Sequence, residues 1–198
     1  MSGRKPSGIC WSICRGKSNF FINEARKLET RTNSTMSRLC TYLITSDTGL
    51  APNPYWGYCT LSVCTPNHMG ARLGRGDWIS GFLCKRQDYR LVYAMEISER
   101  LQLDDYFRDP RFAAKIPKLN GDWKQRCGDN FYSQAPDGTW RKHRNCYHIA
   151  PYYLQKDTQH PYVFIATKFW YFGSTARPRP IEFASLVGGR GIRVNHDE

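Results

Sequence analysis

Three features of this 198-residue chain predict an α+β domain, built on a small curved, mostly antiparallel sheet or barrel with a few short helices. From Leu39 onward, apolar and β-branched runs recur at strand length, each closed by a Gly, Pro, Asn or Asp turn. Helical periodicity is confined to brief stretches. Internal repeats, heptads and the regular strand–helix alternation of a parallel βαβ fold are missing.

Each element follows from its residues. Residues 1–36 are rich in Ser, Gly, Arg, Lys, Asn and Thr and hold too little apolar surface to offset ordering entropy. They are predicted to be a disordered or mis-assigned leader, with Met36 as the natural start and 37–198 as one domain. The run Leu39–Thr45 predicts the first strand, stopped at Asp47-Thr-Gly49. The loop Ala51-Pro-Asn-Pro-Tyr-Trp-Gly57 follows, its two prolines fixing φ. Cys59–Cys64 and Trp78–Cys84 are predicted as strands. Arg90–Ser98 is the cleanest strand, with Leu91, Tyr93, Met95 and Ile97 alternating against Val92, Ala94 and Glu96. Leu101–Phe107 reads as a short helix ended by Asp109-Pro110. An irregular, aromatic-rich stretch then runs to about Tyr153. Pro161–Trp170 predicts one strong strand, continuing toward Phe172. Ile181–Val187 predicts a last helix, with Pro180 at its first turn and Gly188-Gly189 as its stop.

Composition narrows the function classes. No apolar run approaches the roughly 20 residues of a membrane span, and the N-terminal stretch lacks the continuous apolar centre of a secretory signal, so a cytoplasmic protein is expected. The eight cysteines lie mostly in apolar runs without CxxC knuckles. They are read as free thiols, with Cys59, Cys64, Cys146 and His148 the nearest approach to a zinc set. No metal or cofactor is expected. The formal charge is +12, and residues 1–38 supply half of it, eight Lys/Arg against Glu24 and Glu29. The remainder is modestly basic and compatible with a phosphate-bearing partner. Phosphate-cradling glycine motifs, HExxH and GxSxG are all missing, which argues against dinucleotide enzymes, zinc proteases and serine hydrolases.

Three stretches carry chemistry. Asn53-Pro-Tyr55-Trp56-Gly57 sets two aromatics beside an amide on a rigid loop, a combination suited to stacking a flat base and bonding its edge. A core plug under the loop is the structural alternative. Gly76-Asp77-Trp78-Ile79-Ser80-Gly81 reads as a turn launching a strand, with Ser80-Gly81 leaving room for a close approach. Gly128-Asp129-Asn130 offers an acceptor beside a donor, matched to a base edge or equally to an Asx turn. Lys85 and Arg111 are candidate phosphate contacts. His143 and His148 are general-acid or metal candidates with no visible partner.

Taken together, these residues resemble the second of the nucleotide modification associated domain families. The resemblance runs through Tyr42–Asp47, Gly49-Leu-Ala-Pro-Asn-Pro54 with Trp56-Gly57, Cys59-Thr60-Leu61, and Gly76-Asp77-Trp78-Ile79 with Gly81. It continues through Arg90–Met95, Asp109-Pro-Arg-Phe112, Gly128-Asp129-Asn130 and Phe172-Gly173, and covers about residues 37–193. It implies association with systems, in phage and mobile-element contexts among others, that install or handle modified bases. The strand order is also similar to PUA-like barrels that bind modified bases.

The expected function is a base-handling domain whose partner is nucleic acid, DNA foremost, or a nucleotide. Tyr55 and Trp56 would stack on the base, and Asn53, Asp129 and Asn130 would read its edge. Asp77 and Trp78 would line the wall, while Lys85 and Arg111 would meet phosphate. The alternatives are an enzyme using Asp129 or Asp77 as general acid or base, and a protein-interaction module of a modification or defence system.

Overall fold

The computed structural model describes residues 37–63, 71–189 and 191–194. The expected leader, Cys64 and the turn after it lie outside the described residues. Within them, ten strands form three ladders. The largest has the order β10-β1-β3-β4-β9, from β1 (Leu39–Leu43), β3 (Trp78–Phe82), β4 (Leu91–Glu96), β9 (Lys168–Tyr171) and β10 (Ile192–Arg193). The β1–β3 pair is parallel; the other pairs are antiparallel. A second ladder sets β8 (Tyr162–Ala166) between β2 (Cys59–Leu61) and β5 (Glu99–Gln102), and β6 (Tyr132–Gln134) pairs with β7 (Trp140–Lys142). The domain is α+β with mostly antiparallel sheets and few short helices, and no barrel closes among the described residues.

Burial explains where the strands depart from expectation. Alternation in β4 predicts one wet face, yet Leu91 through Met95 are all buried, because this strand is central and covered on both sides. The long run from Pro161 is two strands, not one. At exposed Thr167 the chain leaves the β2-β8-β5 ladder and joins the edge of the large sheet along β4. A continuous apolar run cannot reveal such a change of sheet.

Helices are short and held by local chemistry. The predicted Leu101–Phe107 helix is preceded by β5, and α1 spans Leu103–Arg108, burying Leu103 and Tyr106. Asp109 caps a 3-10 turn, Pro110–Lys115, by accepting from the Arg111 N–H. Next, α2 (Trp123–Arg126) is closed by a capping box, in which Asp122 accepts from Gln125 N–H and the Gln125 side chain accepts from Asp122 N–H. α3 covers Tyr152–Asp157. The predicted last helix is only a 3-10 turn, Ile181–Phe183, in which all three residues are at least partly exposed, so no apolar face pulls it against the core. No helix among the described residues is long and apolar enough to cross a membrane.

The core falls into one cluster around Ile79, Val92, Met95 and Phe164, a second around Tyr106, Phe112, Phe131 and Val163, and a small third of Phe82, Leu91 and Val187. Gly81 is required in β3. A Cβ there would stand 2.5 Å from both Ile44 and the Tyr93 ring.

Candidate functional site

The loop between β1 and β2 is fixed from beneath by a buried polar network. Asn53 is fully buried, and its amide donates to the carbonyls of Gly49 at 3.2 Å and Cys127 at 2.8 Å. Under it lies Lys115, 1% exposed, delivered by the 3-10 turn after α1. Its Nζ donates to Asn53 O at 3.0 Å, Asn53 Oδ1 at 2.7 Å and Tyr58 O at 3.1 Å, which uses every proton of the ammonium. The counter-charge is Asp129, also 1% exposed. Asp129 accepts from the hydroxyls of Thr60 (2.8 Å), Ser62 (3.0 Å) and Tyr106 (2.8 Å). Burial pushes Lys115 down to about 8 and Asp129 up, and each charge opposes the other's shift. Gly128 is the hinge of this arrangement. A Cβ would strike the Lys115 carbonyl and stand 2.8 Å from Pro117 N.

On this base the loop displays an aromatic surface. Trp56 is held at φ 57° while 36% exposed. A bulky residue in that region costs of the order of 1–3 kcal/mol and persists only where the surroundings impose it. Tyr55 packs edge-on against Trp56 (ring centroids 5.6 Å apart) and against Trp123 of α2 (5.4 Å). Trp123 is 51% exposed. Cations sit over these rings: Lys124 Nζ lies 5.8 Å from Tyr55 and 5.7 Å from Trp123, and Lys115 Nζ lies 5.7 Å from Trp56. Tyr147, 38% exposed, shares a hydrogen bond with Cys127 Sγ at 3.2 Å, and that thiol also donates to Thr48 O. The Tyr55 hydroxyl is in hydrogen-bond contact with Tyr171, which donates to Asp47 at 2.8 Å.

The predicted residues thus separate into two groups. Trp56 is exposed, whereas Tyr55 is half-buried with its ring against Trp56 and Trp123. Asn53, Asp129 and Asn130 lie beneath them with their polar groups directed at the protein: Asn130 donates to the carbonyls of Tyr106 (3.0 Å) and Phe112 (3.3 Å). All three are at most 1% exposed. Asp77 is 7% exposed and fixes the start of β3, accepting from Gly74 N–H and from the backbone and guanidinium of Arg38. Burial would raise its carboxyl, but those donors outweigh it and hold it below the usual range. Trp78 stacks on Trp170 at 5.9 Å, with Lys168 over its face. Lys85 is exposed on a 3-10 turn. Arg111 is matched by Glu99 (2.9 Å) and Asp109 (2.6 Å).

Lys115, Trp123, Tyr147 and Asp47 join the site without having been singled out as site residues. Asp122-x-x-Gln125 is a legible capping box and would have placed Trp123 at a helix start. Nothing local marks Lys115 as buried. His143 bonds the Ser133 hydroxyl at 2.8 Å and stacks on Phe107. His148 is buried, stacked on Tyr153 and bonded to Asp157, whose carboxylate also accepts from Tyr132. The five described cysteines are free thiols, and no described group of three His, Cys, Asp or Glu residues is arranged to hold a metal ion.

No curated protein and no solved structure matches the chain. The resemblance noted along residues 37–193 is matched at family level: residues 36–197 fit the model of nucleotide modification associated domain 2, and the chain belongs to that family.

Proposed function

We propose that the domain binds nucleobases, modified or flipped, in nucleic acid, with the Tyr55–Trp56–Trp123 surface as its stacking platform. The observation that supports this most is Trp56. It is a large aromatic kept in a strained backbone conformation, partly exposed, on a loop anchored by the buried Lys115–Asn53 hydrogen bonds. A core plug would be buried and relaxed, whereas a stacking platform must be rigid and accessible. Lys124 and exposed Arg126, on the same short helix as Trp123, are set to meet the backbone that carries the base. Lys85 is exposed on its own 3-10 turn, while Arg111 braces Glu99 and Asp109. Asn53, Asp129 and Asn130 supply the rigidity. Membership of a family associated with nucleotide modification supports a base as the ligand, and DNA is the natural carrier.

The reading is tested by anisotropy with a labelled single-stranded oligonucleotide. Stacking on one aromatic contributes about 1–3 kcal/mol, so Trp56→Ala and Trp123→Ala should each weaken binding by roughly 5- to 150-fold while the protein stays folded. Two folded variants that bind as well as the parent would overturn it.

A further inference from the structure

Next to the stacking platform lies a cleft of about 260 Å³ whose walls include Ile44, Ser46, Asp47, Leu83, Gln87 and Ser174. That volume falls just under the roughly 300–1,000 Å³ of pockets for drug-sized molecules and suits one base or nucleoside. Among the described residues that line it, Asp47 carries the only charge, which favours hydrogen-bond donors there. Asp47 is half-buried and fixed at both oxygens: Oδ1 accepts from Gly49 N–H at 3.2 Å, and Oδ2 accepts from the Tyr171 hydroxyl at 2.8 Å. A carboxylate offers about four acceptor positions. Two are used to orient it, and one on each oxygen remains for a pair of parallel N–H groups.

We propose that this cleft takes the donor edge of a guanine, its N1–H and N2–H lying against the two oxygens of Asp47. The inference rests on the base-handling reading above. Other bases fit worse. Adenine and cytosine set an acceptor nitrogen beside their amino group, aimed at a carboxylate oxygen, and thymine flanks its one N–H with carbonyls. Each places a lone pair against the negative charge, a penalty that selects as effectively as an attraction. Gln87, Ser46 and Ser174 carry neutral donors for the guanine carbonyl, and Ile44 and Leu83 give apolar walls. Tyr55 joins cleft to platform, with its ring on Trp56 and Trp123 and its hydroxyl at Tyr171.

Titration of the full chain with guanosine and with inosine, which lacks only the N2 amino group, tests this without any variant. Guanosine should bind about 5- to 150-fold tighter, the discrimination expected of a bidentate contact. Asp47→Asn, which leaves one acceptor and adds a donor, should abolish the preference. Equal affinity for guanosine and inosine, or a preference that survives in folded Asp47→Asn, overturns the assignment. A thymidine oligonucleotide titrated in parallel separates the two failures. If it binds through Trp56 and Trp123 while guanosine and inosine bind alike, the platform stands and the guanine assignment falls. If neither oligonucleotide nor nucleoside binds, both fall.

Discussion

Replacing Lys115 with Met keeps the length of the side chain and removes its charge, so Lys115→Met isolates the electrostatic centre of the loop platform. The variant leaves Asp129 buried without its counter-charge and takes a donor from Asn53 O, Asn53 Oδ1 and Tyr58 O. Leaving buried acceptors without their charged donor costs about 1–3 kcal/mol. For a domain of this size each kcal/mol moves Tm by about 2–4 °C, so the melt at pH 7 should fall by about 2–12 °C. The same lysine leaves a signature in pH. Its folded value, lowered to about 8 from 10.5, means that the unfolded chain binds more protons between those limits. Stability relative to Lys115→Met should therefore rise with pH through that window. Circular dichroism melts of both proteins from pH 7 to 10.5 check both statements. A loss under about 2 °C, or a gap between the two proteins that stays flat with pH, would refute a buried ammonium holding the loop.

Further outcomes follow from the same interior. Gly128→Ala forces a Cβ onto the Lys115 carbonyl and Pro117 backbone, which cannot swing aside, and should cost about 1–3 kcal/mol by urea unfolding. Burial raises the Cys40 and Cys59 thiols to about 12, above the value near 9 of an exposed thiol. Their contribution is full below pH 9 and lost as pH climbs toward 12, so denaturation should steepen above pH 9 and Cys40→Ala/Cys59→Ala should flatten that slope.

What could be read from the sequence divides along physical lines. Strands β1, β3 and β4 were legible because β-branched and aromatic runs between Gly and Asp turns need no tertiary context. The break at Thr167 was not, because a chain that changes sheet inside an apolar run leaves its composition unchanged. Tyr55 and Trp56 stood out as two large aromatics on a proline-framed loop. Asp129 and Asn130 stood out as a polar pair, but residue type does not tell whether such a pair faces a ligand or satisfies the interior. Here Thr60 of β2, Ser62 just after it and Tyr106 of α1 arrive to meet Asp129. The partnership of Lys115 with Asn53 spans 62 residues and depends on how the 3-10 turn docks, which no local pattern encodes.

The most direct test of base handling is anisotropy of the full chain with short plain and base-modified DNA duplexes across a salt series. Binding that is tighter to one modified duplex, with the salt slope of the plain one, is the predicted result: phosphate contacts then position the protein while the platform and cleft read the base. Equal affinities with the same steep salt dependence would show generic electrostatics and contradict the account.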